Sequence, residues 1–237
     1  MDPEKLKSEI TSRSKVLLLC NPHNPVGRRY DRQELRDIAE ICVAQNLVLC
    51  SDEIHCDLIL DGRQHVPTAT LSPEISAHTI TLMAPSKTFN VPGLNCAFAI
   101  IENKNLRTKF RQARKDIVPN VNALGFSACL AAYRDCEPWR TALIDYLVGN
   151  KDIVYRVIND EIPRLYMVDV QATYLAWINV TELSCDDPVR FFENASVGLS
   201  DGREYGGEGY IRLNFGCPRK TLMEGLERMR SAVKAKD

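Results

Sequence analysis

Three polar side chains stand where a bound ligand would meet them. Asn24 follows the apolar run Val16-Leu17-Leu18-Leu19-Cys20. Asp52 follows the run Leu47 to Cys50, and Lys87 lies in the polar turn Pro85-Ser86-Lys87-Thr88-Phe89-Asn90 after the run Thr79 to Met83. In open parallel sheets ligands bind beyond the carboxyl ends of the strands, so all three fall on one rim. Singly, an Asn in an NP turn is loop punctuation, an Asp closing a strand is a cap or turn former, and a loop Lys is a solvated charge. Their convergence is what points to a ligand. Arg212, within the alternating run Tyr210-Ile211-Arg212-Leu213-Asn214, adds a planar fork that matches a carboxylate bidentately in a way Lys cannot; a surface strand Arg is the plainer alternative.

The elements that must hold these groups read as α/β. Val16–Cys20 and Leu47–Cys50 are short continuous apolar runs, the pattern of parallel strands buried on both faces. Between them, Asp31-Arg32-Gln33-Glu34 is a capping-box start to a helix through Leu35, Ile38, Ala39, Cys42 and Val43. This strand–helix–strand order predicts a right-handed parallel crossover. Thr79–Met83 and Cys96–Ile101 read as two further strands flanking the Lys87 turn. The second half turns helical over 105–116, 123–134 and 138–161, punctuated by Pro119, Pro138 and Pro163. Strands follow over 174–178 and 210–215, and helices over 188–195 and 218–235. The pattern predicts a mostly parallel, doubly wound large domain over residues 1–137 and a small α+β domain over 138–237, joined by the long helix from Pro138.

Composition narrows the function. Of 237 residues, 45% are hydrophobic and 26% charged, which is ordinary globular usage. Thirty basic residues against thirty-one acidic ones leave a net charge of −1, no field for nucleic acid or an anionic membrane. The longest apolar run, Leu94 to Ile101 with Asn95 inside it, is too short to span a bilayer, and the polar N-terminus has no signal-peptide core. Nine cysteines form no C-x-x-C pair and mostly lie in apolar runs, which argues against a zinc site or disulfide framework and for a reducing cytoplasm. No G-x-G-x-x-G follows a strand, which disfavours a dinucleotide site.

Four strings in this order, NPHNPVG, SDEIH, APSKTFN and YIRLNFG, resemble the fold-type I pyridoxal-phosphate enzymes of the class I/II aminotransferase superfamily. SDEIH and SKTFN are most similar to its cystathionine β-lyase branch, and the likeness runs from about Lys15 to the C-terminus. The resemblance implies that Lys87 is joined through its amine to the cofactor aldehyde and, once released, removes the substrate's Cα proton. It implies that Asp52 pairs with the pyridine nitrogen and that Asn24 donates to the phenolic oxygen. His55 stands where aminotransferases usually carry a tyrosine touching that same oxygen, a substitution that favours the lyase branch, and Arg212 would hold the α-carboxylate. Tyr174 and Trp177 read as core or pocket wall. The Gly-rich run 201–207 reads as a turn, with a mobile lid as the alternative.

The family pattern is incomplete here. Relatives carry a long stretch before the first strand, which supplies early sheet elements, a phosphate-gripping turn and an aromatic that stacks on the pyridine ring. Ala84 stands where many have a phosphate-binding hydroxyl and Asn95 where many have a phosphate-binding Arg, leaving Ser86 as the nearby hydroxyl. A sheet lacking its early elements is expected to expose apolar strand faces and edges. The leading expectation is a carbon–sulfur β-lyase acting on an S-substituted cysteine to give thiol, pyruvate and ammonia. An aminotransferase, and a non-catalytic remnant or subunit, are the alternatives. The implied partner set is a small amino-acid substrate and a second copy in a homodimer.

Overall fold

A computed structural model describes residues 1–115 and 117–236. The chain forms two compact units: one of Met1–Pro22, Arg29–Asp57 and Gln64–Arg140, the other of His23–Arg28, Leu58–Arg63 and Thr141–Asp237.

The first unit opens with α1 (Pro3–Glu9), whose first turn is capped by the Asp2 carboxylate accepting from the Glu4 amide at 2.9 Å. Strand β1 (Val16–Cys20) leads to α2 (Arg32–Ala44), and the predicted capping box is present: Asp31 accepts from the Glu34 amide while the Glu34 carboxylate accepts from the Asp31 amide. Strand β2 (Val48–Asp52) lies parallel to β1 with Leu18 opposite Cys50. Helix α3 (Pro73–His78), which hydrophobic spacing did not signal, starts at the Ser72 cap and Pro73, and it feeds β3 (Thr79–Met83), parallel to β2. Strand β4 (Phe98–Ile100) is shorter than the predicted run and antiparallel. The sheet order is β1-β2-β3-β4. Two helices follow, α4 (Lys104–Arg114) and α5 (Ala123–Asp135); the predicted end of the former at Asp116 lies outside the described residues.

This sheet is three-quarters parallel, as its apolar runs predicted, but β1 is not buried on both faces. Leu19 and Leu49 face α2 and α3 and are 2% and 1% exposed, whereas Leu18, pointing the other way, is 75% exposed. Successive strand side chains alternate between faces, and among the described residues no element covers Leu18. An exposed apolar strand face was among the expectations, but not that it would be this face of β1.

Helix α6 (Glu137–Arg156) stops short of the predicted Glu161, because residues Val157–Glu161 widen into a π turn before Pro163. In the second unit β5 (Tyr166–Met167) pairs with β6 (Leu175–Asn179); α7 (Pro188–Asn194), β7 (Ser200–Asp201), β8 (Tyr210–Asn214) and α8 (Arg219–Lys236) complete it. The sheet order β5-β6-β8-β7 is antiparallel throughout. Ile178, Phe192, Phe215 and Met229 are fully buried within one apolar cluster.

Candidate functional site

In the first unit, Asp52 is the last residue of β2, beside Leu82 of β3. Its half-buried carboxylate accepts from the Ile54 amide at 3.1 Å, the one hydrogen bond it makes among the described residues. Its neighbours in sequence point to the opposite face. Glu53, 1% exposed, accepts from Ser51 Oγ at 2.9 Å and from the Thr68 amide at 3.0 Å, and its Oε2 lies 2.7 Å from His65 Nε2. A buried carboxylate is tolerated only with such partners, so Glu53 ties the Ser51–His55 segment to residues 65–68. Neither Glu53 nor His65 stands out in the sequence as a buried contact. His55 is buried within this turn, which the Cys56 amide closes onto the Glu53 carbonyl at 2.9 Å.

Lys87 rides on the turn after β3. The turn is closed by Phe89 N to Pro85 O at 2.9 Å and Val91 N to Ser86 O at 3.1 Å. Thr88 is buried, and the Phe89 ring stacks on Trp139 at 5.9 Å and meets Tyr133 edge-on at 5.7 Å. On this anchored turn the Lys87 side chain is exposed and its amine makes no hydrogen bond or ion pair with the described residues. Ser86 is half-buried beside it. Two buried polar atoms in these segments lack partners among the described residues: Thr88 Oγ1, next to Lys87, and Nδ2 of Asn21, whose backbone N–H donates to the Asp52 carbonyl at 3.0 Å. Ala84 is buried and has no polar side-chain atom, and Asn95 is exposed with its backbone in the left-handed region.

Asn24 belongs to the second unit. Its turn is closed by His23 N to Arg28 O at 2.6 Å and Gly27 N to His23 O at 2.8 Å. Gly27 is required: its φ is +71°, and a Cβ there would stand 2.8 Å from Val170 Cγ1 and 3.0 Å from the Leu175 carbonyl. The Gly27 carbonyl accepts from the Gln171 and Ala172 amides at 2.8 and 3.0 Å, docking the turn beside the second sheet. Asn24 Oδ1 thereby accepts from Arg212 Nη1 at 2.8 Å across 188 residues of sequence. A guanidinium only donates, so the amide orientation is fixed and Nδ2 is left to donate elsewhere. Arg212 also donates from Nη2 to Ser200 Oγ at 3.0 Å, and its guanidinium carbon lies 4.5 Å from the Tyr205 ring centroid. Burial pushes the Tyr174 phenol up, and the nearby Arg212 charge pulls it partly back. Ser200 and Tyr205 were not singled out by the sequence reading, since one sits in a two-residue strand and the other in a turn.

The structure thus brings Arg212 onto Asn24, and sets Asp52 on the strand adjoining the one that leads to Ser86 and Lys87. Within the first unit, a primary amine without a partner among the described residues and a carboxylate with lone pairs to spare suit part of a pyridoxal phosphate. A groove lined by Ser196, Gly198, Asn214, Thr221 and Arg228 holds none of the predicted residues. Among the described residues no cluster of His, Cys, Asp and Glu has the makings of a metal site, and no helix is long and apolar enough to cross a membrane.

Comparison with known proteins places these features in context. Residues 1–229 match the family model for aminotransferase class I and II. Cystathionine beta-lyase PatB of Bacillus subtilis is 36% identical over 240 residues, covering 98% of this chain and 62% of its own. The crystal structure of OvoB superposes with a TM-score of 0.96 at 43% identity, covering 99% of this chain and 62% of that one. Cystalysin from Treponema denticola, whose crystal structure contains pyridoxal 5'-phosphate, gives 0.94 at 33% identity, covering 100% and 62%. This chain therefore spans less than two thirds of the length of these relatives.

Proposed function

Because this chain belongs to the aminotransferase class I and II family, we propose that it serves a pyridoxal-phosphate-dependent carbon–sulfur β-lyase. Its substrate would be an S-substituted cysteine such as cystathionine, consumed with one water to give a thiol, pyruvate and ammonia. The observation that carries this reading is Lys87: an anchored turn presents an amine that no group among the described residues has claimed.

The roles follow from what each side chain can do. Bound pyridoxal phosphate supplies an electron sink conjugated to the substrate's Cα. Lys87 would hold the cofactor through its amine and would serve as the general base for the substrate's Cα proton. Asp52 would pair with the pyridine nitrogen and keep it protonated, through lone pairs that its one hydrogen bond leaves open. Asn24 donates from Nδ2 to the phenolic oxygen, in the orientation Arg212 imposes. His55 supports the same oxygen and Ser86 the phosphate. Arg212 receives the α-carboxylate on its remaining N–H groups. We assign cofactor binding to residues 1–137 and carboxylate binding to 138–237. The balanced charge, and thiols that are free in all nine cysteines, suit a cytoplasmic protein, and the bare Val16 and Leu18 suit burial in a homodimer.

The test is the visible spectrum of the purified chain with added pyridoxal phosphate, beside Lys87→Ala. A yellow band that borohydride bleaches and the variant lacks is expected, followed by pyruvate release from cystathionine without a keto-acid acceptor. Turnover that requires such an acceptor would make the protein an aminotransferase. No band would leave this chain a non-catalytic part of a larger assembly.

A further inference from the structure

We propose that Tyr205 and Ser200 are positioning residues that hold Arg212 as a preorganised carboxylate receptor, and that the glycine-rich turn 201–207 is the rigid platform delivering Tyr205. The inference rests on the reading of Arg212 as the α-carboxylate holder.

Arg212 is at the centre of β8, with Trp177 of β6 and Ser200 of β7 directly opposite it on the same face. Ser200 Oγ takes one N–H of Nη2 and Asn24 Oδ1 takes one of Nη1, while the Tyr205 ring covers one face of the plane at 4.5 Å. The fork is thus held at both ends and on one face, leaving its other N–H groups and its other face for a ligand. A long, rotamer-rich side chain fixed beforehand loses less freedom when an anion arrives.

The turn that places Tyr205 is packed tightly. Asp201 Oδ1 accepts from the Arg203 amide at 2.9 Å, and its Oδ2 pairs with the Arg203 guanidinium at 2.9 and 2.6 Å. A Cβ at Gly202 would collide with the carbonyls of Gly207 and Tyr210, and one at Gly207 with the Trp177 ring. Trp177 in turn meets Tyr205 edge-on at 6.2 Å and stacks on Tyr210 at 5.1 Å. The Gly residues here permit close approach of backbone to ring, which is the opposite of a lid's requirement.

Trp177 is also the reporter. The chain has two tryptophans, so Trp139→Phe leaves Trp177 as the sole one. Propionate, with propionamide as the neutral control, is titrated into this parent and the Trp177 fluorescence followed, alongside each variant's unfolding midpoint. Propionate is expected to perturb the signal and propionamide not. Tyr205→Phe should bind like the parent, because the ring and not the hydroxyl meets the guanidinium. Tyr205→Leu and Ser200→Ala should each weaken propionate about three- to ten-fold, while affinity for propionamide stays absent. Variants that bind propionate as the parent does, while Arg212→Lys abolishes binding, would overturn the positioning role and keep the carboxylate reading. A flat parent titration, or undiminished binding by Arg212→Lys, would overturn the carboxylate reading itself and the inference with it.

Discussion

The two units solve the problem of presenting polar groups in different ways. In the first, Asp52 and Lys87 are each delivered by a short contiguous string, a strand end followed by a turn that its own backbone hydrogen bonds close. In the second, Asn24 and Arg212 meet across 188 residues, and the meeting depends on Gly27 letting a turn lie against residues 170–175. The sheets differ in the same sense. The first is packed on one face, with Leu19 buried and Leu18 bare; β6 and β8 of the second carry Ile178 and Ile211 into a closed apolar cluster. A locally built site tolerates an uncovered scaffold, whereas a site assembled across the chain depends on a finished core.

That contrast can be broken at several points. The largest expected effect is at Lys87: Lys87→Ala should cut cofactor-dependent pyruvate release by at least about a hundred-fold, the lower range for loss of a general base, read as pyruvate formed per enzyme. Next come the cores. Leu19→Ala and Ile178→Ala should each destabilise their unit by about 2–5 kcal/mol in denaturant titrations, whereas Leu18→Ala should cost no more than about 0.5 kcal/mol at dilutions where the chain is monomeric and more where the proposed homodimer covers it. Equal effects at Leu18 and Leu19 would show that the outer face of β1 is covered in solution.

Gly27→Ala should cost about 1–3 kcal/mol through its positive φ and the Val170 contact, and should weaken propionate binding at Arg212. Asp31→Ala should cost about 1 kcal/mol by removing the α2 cap, with no effect on either site. The smallest effect concerns Asp57, whose carboxyl is pushed above the usual range by burial, against the pull of Arg140. A carboxyl raised in the folded state favours folding below its unfolded value, and that advantage is lost as pH rises through the folded value. Asp57→Asn should therefore gain stability relative to the parent as pH rises through and above the carboxylate range, measured by chemical denaturation on both sides of it.

Legibility followed the range of the interactions. The capping box at Asp31 and Glu34, the parallel pairing of β1, β2 and β3, and the Lys87 turn were readable because each is encoded within a few residues or a single strand–helix–strand unit. Strand β4 was legible as a strand but not as antiparallel, since direction is set by the connection and not by the run itself. Helices α1 and α3 are six or seven residues long and give too few turns for a hydrophobic period; their caps at Asp2 and Ser72 were the usable signals. Glu53 and His65 look like ordinary surface residues in sequence, and only packing reveals their buried contact.

By itself, then, the sequence determined the residue types proposed for the chemistry, the position of Asp52 at a strand end and of Lys87 in the turn after one, and the family these imply. Local hydrogen bonding and alternating burial leave a mark on every few residues, so they can be read there. The tertiary structure alone decided which partners hold Arg212, that the 201–207 run is a packed platform, and which face of β1 goes uncovered. Those depend on side chains brought together from distant parts of the chain, and the free energy of such contacts is set by geometry that no single stretch of sequence contains.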